Sequence, residues 1–108
     1  NNNIFIIHDD LDFNLGKIKF KTGGGNGGHK GLISVDALIG KNYNRLRIGI
    51  GRPETKSLVN SYVLKKFNKD EQETIDMVLK SISKNLLFLL KKQYDYFFNK
   101  YHADFKNI

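Results

Sequence analysis

The first apolar run, Asn3-Ile4-Phe5-Ile6-Ile7, is short and continuous and stops at His8 and Asp9, the pattern of a strand covered on both faces in an α/β sheet. His8 and Asp9 then sit at its carboxyl end, where open α/β sheets bind ligands. From Gly16 to Lys21 the pattern alternates: Ile18 and Phe20 are set against Lys17, Lys19 and Lys21. That predicts a half-exposed strand with a cationic face. A glycine-rich stretch from Gly23 to Gly31 follows, and Leu32, Val35, Leu38 and Ile39 mark the apolar stripe of a short helix ending near Gly40. The glycine loop therefore opens onto a helix amino terminus.

Alternation returns from Arg45 to Gly51, with Leu46, Ile48 and Ile50 on one face and Arg45, Arg47, Gly49 and Gly51 on the other, until Pro53 stops the ladder. One face is predicted to be packed, the other cationic and nearly bare. Ser57 to Leu64 fits a helix turn or a short final strand about equally; a connecting helix and a short strand are preferred. From Asn68 the pattern is helical: Asn68 can cap, Glu71 stands at the capping-box position, and Ile75, Val78, Leu79, Ile82, Leu86 and Leu89 trace one face. Tyr94 to Phe98 and Tyr101 either continue that helix or follow a kink near Gln93. A first strand buried on both faces needs neighbours on each side, more than these elements supply. Together with a start at Asn1 instead of Met, this predicts a preceding segment carrying the other half of the sheet, and residues 1–108 as a partial single domain.

At 108 residues the chain is sized for one domain. Eighteen Lys plus Arg against eleven Asp plus Glu give a formal charge of +7, which favours a polyanionic partner. The absence of cysteine excludes a disulfide scaffold, a thiolate metal site and a thiol nucleophile, and fits a reducing cytoplasm. The longest apolar run, around Leu86 to Leu90, is too short to span a bilayer, so no membrane partner is expected.

Gly23, Gly25 and Gly28 satisfy G-x-G-x-x-G, but the preceding strand alternates with lysines and no acidic residue follows at the ribose-binding distance. A dinucleotide site is unfavoured. What such loops share is backbone free of side chains, so that N–H groups can approach an anion beside a helix amino terminus. Asp10, Asp12 and Asn14 begin like a calcium loop, yet Leu15 stands where glycine is required and Lys21 where the closing Glu belongs. No metal and no cofactor is expected. Asp9 suits the orientation of a histidine, as a buried carboxylate does in hydrolytic triads, while Asp10 and Asp12 suit turn chemistry. Neither His8 nor His29 has a Ser or Cys partner at a recognisable spacing, and neither is assigned as the general base. If their strands are neighbours, Lys21 and Arg47 could clamp a terminal phosphate; an exposed cationic sheet face explains their spacing nearly as well.

The runs HDDLDFNLGKIKFK, GGGNGGHKGL and RLRIGIGRP, with the tail NKYHADFKNI, resemble consecutive signatures of bacterial-type peptidyl-tRNA hydrolase across essentially all 108 residues. The resemblance implies a three-layer α/β/α sandwich with a mixed twisted sheet, represented by its carboxyl-terminal part. It also implies a cofactor-independent cytoplasmic esterase, monomeric when full length, that cleaves peptide from the 3′ end of tRNA and recycles tRNA from aborted translation. Carried over by position, Asp9 matches the carboxylate that hydrogen-bonds the catalytic histidine, which has no counterpart in this chain, so the isolated chain is expected to be inactive. Lys21 and Arg47 match the pair that recognises the tRNA 5′-phosphate, with Lys56 as a further phosphate contact. Gly25, Gly27, Gly28, His29, Lys30 and Gly31 fall in the loop beside the peptide and acceptor end. Lys30 stands where the family has asparagine; an ammonium donates but cannot accept. The competing expectation is a non-catalytic tRNA- or RNA-binding module of the same fold.

Overall fold

The computed structural model describes residues 3–51 and 67–105. The chain divides into two compact units, Asn1–Lys65 and Lys66–Ile108. The first holds three strands, β1 (Phe5–Asp10), β2 (Ile18–Thr22) and β3 (Asn44–Gly49), and helix α1 (Lys30–Ile39). The sheet order is β1-β3-β2, with β1 parallel and β2 antiparallel to β3, a mixed α/β arrangement.

The middle strand is the one whose alternation is cleanest. Leu46 pairs with Ile7 on one side and Phe20 on the other, and Ile48 pairs with Ile18, so these apolar side chains share a face. Leu46, Ile48 and Ile18 are buried. Lys21 lies opposite Arg45, Lys19 opposite Arg47, and His8 beside Arg47. Like charges directly opposite each other are unfavourable, so this second face needs acceptors, and its geometry is governed by where they come from. The expectation that it is nearly bare is corrected: Arg45 is only 2% exposed, because the glycine loop folds back over it and two loop carbonyls accept from its guanidinium.

Two other expectations change. The first strand is not covered on both faces by the described residues: Ile7 is 43% exposed, and β1 pairs with β3 alone among them. In α1 only Leu32 of the stripe is buried, and Leu38 is 85% exposed, so that helix is fixed mainly at its ends. Its carboxyl end stops at Gly40, whose N–H makes a last helical bond to the Asp36 carbonyl and whose φ of 78° turns the chain out of the helix. Pro53 and the Ser57–Leu64 segment lie outside the described residues.

The second unit is helical: α2 (Lys69–Lys84), α3 (Leu86–Leu90) and α4 (Tyr94–Phe105). Asn68 and Glu71 form a reciprocal capping box, each side chain bonding the other's backbone N–H at 2.8 and 2.9 Å. Ile75, Val78, Ile82 and Leu89 are buried, while Leu79 and Leu86 are exposed. The long apolar stripe is broken twice. Asn85 turns its amide back onto the Ser81 carbonyl, and Lys92 adopts a left-handed φ of 62° just before Gln93. α4 returns so that Asp104 accepts from the Ser81 hydroxyl and from Lys84. No helix of the described residues is long and apolar enough to cross a membrane.

One glycine sets the path of the turn between β1 and β2. Gly49 donates to the Lys17 carbonyl and accepts from Gly16, while Gly51 donates to Phe13. A Cβ on Gly49 would collide with the Asn14 carbonyl oxygen and lie 2.7 Å from the Phe13 Cβ. Gly49→Ala is therefore expected to lower stability by about 1–3 kcal/mol, the usual cost of overpacking, measured as a lower urea midpoint. An unchanged midpoint would show that the Phe13–Asn14 segment can step aside freely.

Candidate functional site

Parallel pairing brings His8, Asp9 and Asp10 level with Arg47, Ile48 and Gly49, so the charged ends of two strands meet at one edge of the sheet. The glycine loop closes over them to form a cavity of about 340 Å³. Asp9, Lys21, Gly25, Gly27, Gly28, His29, Lys30, Gly31 and Arg47 all line it. Lys56 lies outside the described residues. The structure therefore brings the two candidate phosphate ligands and the candidate carboxylate to one place.

Asp9 is engaged from within this chain. His29 Nε2 lies 2.7 Å from Asp9 Oδ1, and His29 Nδ1 accepts the backbone N–H of Leu32 at 3.2 Å, capping α1. A nitrogen that accepts an N–H carries no proton, so the proton sits on Nε2 and is donated to Asp9. Both ring nitrogens are thus committed, one to the helix and one to the carboxylate. Nothing in sequence spacing pairs residues 9 and 29. The only local signal was a polar residue three positions before Leu32, at the helix entry.

His8 has the opposite arrangement. Its Nδ1 donates to the Asp9 carbonyl at 2.8 Å, leaving a bare Nε2 that is buried without a hydrogen-bond partner. Burial, opposed by that carbonyl bond, holds its pKa below the usual 6.5. The two imidazoles meet edge to face with centroids 5.4 Å apart.

Arg47 is not a free cation. Its Nε donates to Asp10 at 2.9 Å, and its guanidinium lies 4.6 Å from the centroid of the Phe13 ring, which Lys19 and Lys17 also approach at 5.1 and 5.9 Å. Asp10 performs the expected turn chemistry as well, accepting the Asp12 N–H at 2.8 Å. Lys21 is exposed and runs along Gly24; a Cβ there, at a φ of +101°, would sit 2.8 Å from Lys21 Nζ. Glycine at position 24 is what gives Lys21 this path into the cavity.

The loop is tied down more than an open anion cradle would be. Gly23 donates to the Tyr43 carbonyl, Gly28 to Asn26 Oδ1 at 2.9 Å, and His29 to the Asn26 carbonyl at 3.0 Å. Asn26 Nδ2 reaches Asp36 at 3.3 Å, and Asp36 accepts the Tyr43 hydroxyl at 2.6 Å. That hydroxyl, with Asn26 and Arg45 behind it, holds the Asp36 carboxyl below its usual 3.8 despite burial; burial and the same carboxylate raise Tyr43. Asp36, Tyr43 and Arg45 were not picked out as site residues from sequence, because their link to the loop exists only once α1 folds back. Among the described residues no group of three or more His, Cys, Asp or Glu could hold a metal ion.

The His8 arrangement fixes a pH dependence. Its folded pKa is depressed, so its contribution to stability is complete above the unfolded value of 6.5 and is lost as pH falls through the folded value. Stability is expected to decline with acidification below 6.5, and His8→Phe to flatten that segment of a denaturation-versus-pH curve. An identical slope in the variant would place the titrating group elsewhere.

Comparison with known proteins adds the family. The sequence profile described as "Peptidyl-tRNA hydrolase" matches residues 1–107. The chain is 53% identical over 97 residues to the peptidyl-tRNA hydrolase of Rickettsia africae, covering 90% of this chain and 52% of that protein; for Rickettsia canadensis the identity is 50% over 97 residues, with the same shares. It superposes on the crystal structure of peptidyl-tRNA hydrolase from Acinetobacter baumannii with a TM-score of 0.75 at 42% identity, over 92% of this chain and 50% of that one. The chain spans about half the length of the relatives it matches.

Proposed function

The chain belongs to the peptidyl-tRNA hydrolase family, and from this premise we propose that it forms the carboxylate and phosphate-binding side of a centre hydrolysing the ester between peptide and tRNA. One observation carries the reading: Asp9, Lys21 and Arg47 line a single cavity at the carboxyl ends of parallel strands. A carboxylate without a nucleophile beside it suits general-base hydrolysis by water, and two cations lining the same cavity suit a terminal phosphate.

In this mechanism Asp9 orients an imidazole that removes a proton from water; the hydroxide attacks the ester carbonyl, and the 3′ oxygen of tRNA leaves with a proton. His29 and His8 are poor choices for that base. His29 has both ring nitrogens committed, and the bare nitrogen of His8 is buried. Asp9 Oδ1 receives His29, while its side chain remains 36% exposed, leaving room for a second imidazole, supplied from outside these 108 residues. The chain alone then binds substrate without turning it over. Lys21 and Arg47, with Lys56, hold the 5′-phosphate of the acceptor stem, and the Gly25–Gly31 loop faces the 3′ end and peptide. Lys30 adds a donor there, able to bond a carbonyl or phosphate oxygen but not to accept from water.

The test is hydrolysis of an N-blocked aminoacyl-tRNA by this chain extended at its amino end to the length of its relatives. Asp9→Asn is expected to lower kcat about 10²–10⁴-fold with little change in tRNA affinity; equal turnover would remove its role. Lys21→Ala and Arg47→Ala are expected to act on affinity, each reducing the slope of log K against log salt by about one. Tight tRNA binding without any hydrolysis by the extended protein would favour a non-catalytic RNA-binding module.

A further inference from the structure

We infer that Arg45 is a positioning residue that sets the shape of the glycine loop and, through Asn26 and His29, the presentation of Asp9. The inference rests on the hydrolase reading for its consequence on turnover, while its geometry stands without it.

Arg45 is 2% exposed, a burial that a guanidinium sustains only when acceptors surround it. Those acceptors are mostly not carboxylates. Nη1 donates to the Gly25 carbonyl at 2.7 Å and Nη2 to the Gly24 carbonyl at 2.8 Å, with Lys41 O at 3.4 Å; the nearest Asp36 oxygen stands 3.8 Å from Nη2. The Nε is buried without an acceptor. The orientation of the fork is therefore set by the two glycine carbonyls. Tyr43 lies under the guanidinium, its centroid 4.5 Å from Cζ, and gives its hydroxyl to Asp36, so the cation is fixed from below as well.

A glycine segment has no side chains of its own to anchor it, and Arg45 supplies that anchor from the middle strand. The next residue, Asn26, passes the constraint on: its carbonyl accepts the His29 N–H and its Oδ1 the Gly28 N–H. His29 then holds Leu32 with one nitrogen and Asp9 with the other. A displaced loop would rotate the imidazole, breaking the helix cap and the bond to Asp9 together. Arg45 lies at the cavity wall with its donors turned to the loop carbonyls, and its effect on Asp9 passes through this chain of contacts.

The experiment is carried out on the full chain without substrate, so its result does not depend on the hydrolase reading. Arg45→Met keeps the stem and removes every donor. It is expected to replace the separate protonated and bare ring-nitrogen resonances of His29 by averaged ones. Exchange of the Leu32 amide should quicken about fivefold, the equivalent of losing a ~1 kcal/mol cap, with exchange at Ile48 in β3 changing less. Wild-type His29 resonances in a folded Arg45→Met protein would overturn the inference. So would equal acceleration at Leu32 and Ile48, which is what a purely structural role produces. Should Arg45→Met not fold, Arg45→Lys decides: its single ammonium cannot serve both carbonyls in the same geometry, so a smaller change in the same direction is expected, and wild-type behaviour overturns the inference.

Discussion

A guanidinium removed from water must find acceptors, and in this chain the nearest are backbone carbonyls of a segment that has no side chains to offer. That constraint organises the first unit. The Arg45 fork draws Gly24 and Gly25 down onto β3, and from there the loop runs past Asn26 into the cap of α1 at His29. The same strand carries Arg47 two residues on, paired with Asp10 and resting on Phe13. Arg45 and Arg47 look equivalent in sequence yet take different partners, one the loop carbonyls and the other Asp10.

The parallel pairing of β1 with β3 does the remaining placement. It sets Asp9 and Asp10 level with Ile48 and Gly49, just beyond Arg47, at the end of the sheet where the glycine loop also gathers. Asp10 faces Arg47, and Asp9 faces His29. Adjacent acids on one strand thereby take different partners. Their roles separate accordingly: Asp10 tempers a cation that stands opposite Lys19, and Asp9 lines the cavity. A neutral His8 packed against His29 keeps further positive charge away from this carboxylate.

Much of this is legible in the sequence. Alternation in residues 45–50 identified the strand and its two faces, the glycine run identified a loop leading into a helix, and Asn68 with Glu71 identified a helix start at one residue's accuracy. Asp9, Lys21 and Arg47, which the resemblance singles out, line one cavity. Periodicity says which residues share a face but not what covers that face, which is why Arg45 looked bare. The apolar run at residues 3–7 predicts cover on both faces, and among the described residues Ile7 is left 43% exposed. The Asp9–His29 pair depends on twenty residues of chain folding back, and the breaks at Asn85 and Lys92 rest on local backbone choices within an unbroken apolar stripe. Neither leaves a mark in spacing.

The central claim is that the cationic side of the cavity holds a terminal phosphate next to Asp9. It is tested most directly by titrating the chain with two RNA hairpins that mimic an acceptor stem and differ only in a 5′-phosphate or a 5′-hydroxyl. The account predicts tighter binding of the phosphorylated hairpin, a difference that shrinks as salt rises, and amide shifts centred on Lys21 and Arg47. Equal affinity for the two hairpins, or shifts confined to the helical unit, would contradict it.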